Sequence, residues 1–229
     1  MPKGNVNKSN SDYRGALLKV VENDLEHPIN NGIHMEAHHL ISNESIKQAK
    51  MQSFLVDAGY DINHLSNLAF LPATLPGACH LNVQVHRGNH FGTLSEQDND
   101  DDAVHPVYYH DVVRKMLIEL KIKKLNDCGG EPEKVEKKLR KCMAQLSEDI
   151  LEEIEYFTLP LSPIMKAFHP LSKVGCGNCI NVKEHQEDSS NCDVSDRDHS
   201  GETHPKFKSG KFLKTIDIAK VKYNLRIGK

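Results

Sequence analysis

Apolar residues recur at helical spacing in several parts of the chain. Ala16, Leu17, Val20, Val21 and Leu25 line one face of a short helix predicted over residues 12–25. Asn43 is placed to cap a helix running to about residue 57, with Ile46, Ala49, Phe54 and Leu55 turned inward and Gly59 as its stop. Val112, Val113, Met116, Leu117 and Leu120 predict a helix from Pro106 to about Leu125, ended by Asp127-Cys128-Gly129-Gly130. Val135, Leu139, Met143, Leu146, Ile150 and Ile154 predict a long charged helix over residues 132–157. Such a stripe reads as core or helix-pairing seam, not as a ligand site. Between the helices, residues 33–41 suit a strand or extended loop, and Asn67-Leu68-Ala69-Phe70-Leu71-Pro72 is a brief apolar strand closed by proline. The run from His27 to Gly32 and the pair Pro76-Gly77 mark breaks.

These elements predict an α+β chain, rich in helix. The boundaries fall at 1–29 for an amino-terminal arm and helix, 30–126 for a central domain and 131–158 for the long helix. A carboxy-terminal extension at 159–229 is polar, bears Cys and His and becomes basic. The first ten residues are polar and rich in Asn and Lys, which predicts a loose arm. Pro160, Pro163 and Pro170 interrupt periodicity, and residues 172–203 read as a long polar loop. No internal repeat is evident.

Composition narrows the class. The chain has 229 residues, 38% of them hydrophobic, and no Trp, which predicts a modest core under much polar surface. No stretch approaches the roughly 20 apolar residues of a membrane span, and the amino terminus lacks the apolar run of a secretory signal. Six scattered cysteines without such a signal do not predict a disulfide framework. The net charge of −3 hides a division: residues 96–102 are strongly acidic, whereas residues 206–229 are basic. A carboxylate run repels a phosphate backbone, so the acidic stretch reads as a solvated loop. The basic tail fits either a solvated surface element or nonspecific contact with a polyanion.

Histidine density is the feature that packing does not explain. Most of the fourteen histidines lie between His27 and His110, with a doubled pair in Glu36-Ala37-His38-His39-Leu40-Ile41 and a spaced pair in His86-Arg87-Gly88-Asn89-His90. Neutral imidazole is a good ligand for borderline metals, and its near-neutral pKa also suits a general base. Phosphodiester cleavage needs both a cation and a base. On an extended segment His38 and His39 point to opposite sides of the chain, so one can bind metal while the other faces water. His86 and His90 share a face if their segment is helical, and a turn also brings them together.

Ala37-His38-His39, the Asn67–Pro72 run and His86-Arg87-Gly88-Asn89-His90, in that order, resemble the AHH family of the HNH/endonuclease VII group. The resemblance covers roughly residues 33–120. It implies an AHH/HNH-like nuclease domain at 30–126 with a small ββα-metal core, an endonuclease acting nonspecifically on DNA, with RNA not excluded. Carried over, it implies that His38, His86 and His90 bind one divalent ion (Mg, Mn, Zn or Ni), that His39 is the general base, and that Asn67 orients the His39 ring by hydrogen bonding. His105-Pro106-Val107-Tyr108 follows only after the acidic stretch, so His105 is the alternative to His90 as the last ligand. Arg87 is a candidate phosphate contact, against the plainer reading of a surface arginine. The family's association with bacterial toxins further implies delivery into the cytoplasm of a target cell and a cognate immunity protein.

A second cluster, Cys176, Cys179, Cys192 and His199, with His204 also nearby, has the donors for a structural zinc. Its spacing after the first pair is irregular, and a polar loop with free cysteines is the competing reading. The alternative function, from another class, is a noncatalytic zinc-stabilised module that binds nucleic acid through the basic tail. His34, His64, His80 and His110 are expected to be structural or to support the site from behind.

Overall fold

The computed structural model describes residues 3–7, 12–31, 33–73, 78, 81, 83–86, 91–93, 106–122, 132–156, 158–159, 161 and 224–229. Helix α1 spans Tyr13–Val21 and begins where the Asp12 carboxylate accepts the Gly15 backbone N–H at 2.8 Å. It stops short of the predicted Leu25 because two asparagine side chains take over its end. Asn30 Nδ2 donates to the carbonyls of Val21 and Asp24, and Asn31 Nδ2 donates to those of Leu25 and His27. The buried face is Leu17 and Val21, one turn apart, while Val20 and Leu25 stand in solvent.

Strand β1, Met35–His39, pairs antiparallel with β2, Leu68–Pro72, in the register His39↔Leu68, His38↔Ala69 and Ala37↔Phe70. The chain between them folds into helices α2, Asn43–Gln48, and α3, Gln52–Asp57. The single predicted helix is therefore two. Ser42, not Asn43, is the cap, accepting the Ser45 N–H at 3.0 Å. Lys50 adopts φ 54°, and the bonds Lys50 N→Lys47 O and Met51 N→Ile46 O close a helix-ending turn around it. The same arrangement recurs nine residues later, where Gly59 at φ 76° ends α3 with Gly59 N→Val56 O and Tyr60 N→Leu55 O. Glycine reaches the left-handed region without strain; Lys50 does so against its preference.

Residues 3–7, predicted as part of a loose arm, are tied down. Gly4 N, Asn5 N and Ile62 N donate to Val56 O, Tyr60 O and Asn5 O at 2.7–2.8 Å. A Cβ on Gly4 would sit 2.3 Å from the Tyr60 carbonyl oxygen, so only glycine permits this approach.

Strand β3, Phe91–Thr93, pairs antiparallel with β4, Pro106–Tyr108, and helix α4, Tyr109–Glu119, follows directly. The helix predicted from Pro106 thus begins three residues later, its first turn replaced by strand pairing. It ends at Glu119, two residues before Lys121 turns left-handed (φ 50°) and ahead of the predicted glycine stop. Helix α5, Pro132–Glu155, matches its predicted stripe: Leu139, Met143, Leu146, Ile150 and Ile154 are buried. One apolar cluster joins Leu17 and Val21 of α1, both strands of the first sheet, Val113 and Leu117 of α4 and that face of α5. Leu225 closes it, and the backbone of Gly228 and Lys229 lies against β2 through Gly228 N→Leu68 O and Phe70 N→Lys229 O. Helices with small antiparallel sheets make this an α+β structure. Among the described residues no helix is long and apolar enough to cross a membrane.

Candidate active site

Strand alternation sends Glu36 and His38 to one face of β1 and His39 to the other, and their partners differ accordingly. His38 is 2% exposed, and its Nε2 lies 2.9 Å from the Tyr109 hydroxyl at the start of α4. That hydroxyl donates its one proton to the Leu40 carbonyl at 2.5 Å, so it can only accept from His38. His38 therefore carries its proton on Nε2. Tyr109 is fully buried, and burial pushes its phenol well above the usual range, so it stays a neutral donor.

The same face holds His86, whose ring centroid is 4.7 Å from that of His38. Its position is fixed from both sides. His86 N donates to Pro72 O at the end of β2. Two residues earlier, buried Gln84 donates to Ile154 O and Leu159 O and accepts from Leu161 N at the end of α5. Within the site, His86 Nδ1 is 2.9 Å from Glu36 Oε2. A carboxylate only accepts, so Nδ1 bears the proton. The hydrogen bond from His86 is the main reason the Glu36 carboxyl is held below its ordinary pKa, against the opposing effect of burial.

On the opposite face, His39 Nε2 lies 3.0 Å from Asn63 Oδ1, and the Tyr13 ring packs 4.4 Å away, centroid to centroid. Here the structure corrects the predicted role of Asn67. The Asn67 amide is spent on the backbone: Oδ1 accepts from Ile41 N at 2.7 Å and from Ser147 Oγ at 3.2 Å, and Nδ2 donates to Ile41 O and Ile62 O. Both amide protons go to backbone carbonyls, the oxygen takes the Ile41 N–H and shares the single Ser147 hydroxyl proton with Met143 O, and none of these bonds reaches the His39 ring. Asn67 acts one step removed, fixing the chain on either side of His39 and Asn63.

Other histidines have plainer tasks. His110 Nδ1 meets Ser42 Oγ at 2.9 Å, and exposed His64 caps the short turn Leu65–Asn67 through Ser66 N. His27 is buried with its ring edge against Phe70, and burial lowers its pKa to about 4. His34 lies just ahead of β1 and contributes to lowering the Glu36 pKa.

The remaining predicted site residues, Arg87, His90 and His105, lie outside the described residues, as do His80 and the candidate zinc ligands Cys176, Cys179, Cys192, His199 and His204. Among the described residues no group of three or more His, Cys, Asp or Glu side chains is arranged to hold a metal. What the structure does bring together is His38, His86, Glu36 and Tyr109 on one face, and His39, Asn63 and Tyr13 on the other. Sequence reasoning missed Glu36, Asn63 and Tyr109. The only available signal was Glu36 two residues before His38, where strand alternation places both on one face.

The model of the AHH family, a nuclease family of the HNH/ENDO VII superfamily with conserved AHH, matches residues 19–146, more than half of the chain. The match extends beyond the motif-bearing residues 33–120 to the end of α1 and into α5. No curated protein and no solved structure matches the chain. On this match the chain belongs to the AHH family of nucleases.

Proposed function

We propose that this nuclease is a metal-dependent endonuclease that hydrolyses DNA phosphodiesters with little base specificity. His39 is the general base in this reading, and His38 and His86 are metal ligands completed by His90, with His105 as the alternative. The first sheet and the segment carrying His86 would form its ββα-metal core. The observation that carries it is the pairing of the His38 and His86 rings at 4.7 Å, each already held at one nitrogen by a hydrogen-bonding partner. An imidazole fixed in this way by a carboxylate or hydroxyl is the arrangement metal-binding histidines favour, because the partner sets the tautomer and raises ligand basicity. Coordination would then use Nδ1 of His38 and Nε2 of His86. A bound divalent ion, Mg, Mn, Zn or Ni, supplies Lewis-acid stabilisation of the phosphorane charge and of the leaving oxygen.

His39 supplies proton transfer. Its Nε2–H points at Asn63, so Nδ1 is the nitrogen that accepts a proton from water as the water oxygen bonds to phosphorus. One P–O ester bond breaks in return, and the departing oxygen is protonated from solvent. Backbone chemistry of this kind needs no contact with base edges, hence the expected lack of sequence preference. The role we assign to this activity is that of an antagonistic bacterial toxin domain acting in the cytoplasm of a target cell and neutralised there by an immunity protein.

The test is incubation of the purified protein with supercoiled plasmid and, separately, total RNA, with each metal or with EDTA. Plasmid nicking that needs metal is expected, with RNA left intact. His39→Ala should lower cleavage about 100- to 10,000-fold, the range for a lost general base, with metal content unchanged. His38→Ala should lower both. Full activity in His39→Ala, or cleavage that persists in EDTA, would overturn the reading.

A further inference from the structure

We infer that Asn63 is the positioning residue for His39, and that it fixes the imidazole as the tautomer with its proton on Nε2. The consequence for cleavage rests on the nuclease reading above; the tautomer itself does not.

Two acceptors fix the orientation of the Asn63 amide. Its Nδ2 lies 3.3 Å from Asp61 Oδ1 and 3.4 Å from the Asn7 carbonyl oxygen, and both of these groups only accept. A reversed amide would set oxygen against oxygen at both contacts. The Asp61 carboxylate is itself held in place, because its Oδ1 also accepts the Asn63 backbone N–H at 3.0 Å. The amide oxygen is therefore the atom turned to His39, and at 3.0 Å it requires a proton on Nε2.

The support is assembled from separate parts of the chain. Asn7 is held beside Asn63 by the backbone pairing of Asn5 with Tyr60 and Ile62. Tyr13 closes on the ring from α1. Asn63 is 9% exposed, so its hydrogen bond to His39 is not in ready competition with water. The relay Asp61, Asn63, His39 resembles in logic any base oriented by a third group, but here the orienting group is a neutral amide. It fixes the ring without adding a charge next to it.

The test compares wild type with Asn63→Leu, which keeps the approximate volume and removes the acceptor. A second variant, Asn63→Asp combined with Asp61→Asn, exchanges the two groups and keeps an acceptor facing Nε2. Nitrogen-15 imidazole shifts of His39, read well above the ordinary histidine pKa, should show in wild type a protonated Nε2 with a slowly exchanging proton. Asn63→Leu should lose that proton signal and move both nitrogens toward averaged values. Its kcat for plasmid cleavage should fall about 10- to 100-fold, as for loss of a group behind a functional histidine, with KM unchanged. The exchanged pair should restore the nitrogen pattern read above the histidine pKa, because an acceptor again faces Nε2.

An unchanged His39 pattern in folded Asn63→Leu, or a wild-type ring protonated on Nδ1, overturns the inference. So does an exchanged pair that folds without restoring the nitrogen pattern. If wild type cuts nothing, the nuclease reading fails, while the nitrogen shifts still decide the role of Asn63.

Discussion

The two faces of β1 hold adjacent histidines by different means. His38 is gripped from α4 by Tyr109, 71 residues further along, and stands beside His86, which is tied to Glu36 across 50 residues. His39 meets Asn63 only 24 residues away, with Tyr13 of the preceding helix against its ring. One face is completed only when the second half of the central region returns to the strand. The contacts described on the other, from Tyr13 and Asn63, come from the first 63 residues. The proposed metal face and the proposed base face can therefore be damaged separately, provided their common support is left alone.

That support is Asn67. It accepts from and donates to Ile41, just past His39, and donates to Ile62, just before Asn63. Its backbone carbonyl also receives Leu40 N, the neighbour of the carbonyl to which Tyr109 donates. Asn67→Ala leaves the Ile41 N–H and the carbonyls of Ile41 and Ile62 without these partners in a buried setting. At about 1 kcal/mol or more for each, the loss should reach about 3 kcal/mol or more. Both faces should suffer together. Urea unfolding would show the destabilisation, and metal affinity and the His39 nitrogen pattern should change in parallel. A variant that lost only one of the two would remove Asn67 as the shared support.

Tyr109→Phe should divide the faces. It removes the acceptor for His38 Nε2 and the donor to Leu40 O while keeping the ring in the core. A destabilisation of about 1–3 kcal/mol follows from the buried groups left unpaired. Metal affinity, read by titration calorimetry, should fall about 10- to 100-fold as the His38 ring loses its anchor. The His39 shifts should stay where they are. A change at His39 of equal size would mean that β1 transmits the disturbance from one face to the other.

The same contrast explains what the sequence made legible. The α5 stripe and the Asn67–Pro72 strand were readable because their periodicity coincides with burial. The division of residues 43–57 into two helices was hidden, because Lys50 occupies the left-handed position that glycine would have advertised. The start of α4 was misplaced because Pro106–Tyr108 pairs with Phe91–Thr93, a nonlocal event that overrides the local helical pattern. In the site, the histidines stood out by density. Their partners did not, since Asn63 and Tyr109 acquire meaning only through contacts across the fold. Asn67 was recognisable as important from its place in the family motif, yet its amide serves the backbone and Asn63 serves the ring.

The smallest expected effect is also the finest probe of the metal face. Glu36→Gln keeps an acceptor oxygen for His86 Nδ1 but removes the negative charge behind the ring. Metal affinity should fall by about tenfold, the low end for a partner behind a ligand. The Glu36 side chain is 41% exposed, so solvent screens the pair and the stability change near neutral pH should stay under about 1 kcal/mol. Its pH dependence has a definite sign. Because the folded state holds the Glu36 carboxyl below its ordinary value of 4.5, its contribution is present above that value and is lost as pH falls through the lower, folded one. In Glu36→Gln that part of the acid-side slope should vanish from unfolding curves, while the His39 nitrogen pattern remains that of wild type. If instead the slope survives intact, the fold does not hold the Glu36 carboxyl below its ordinary value. The carboxylate would then be a bystander on a face organised by Tyr109 alone.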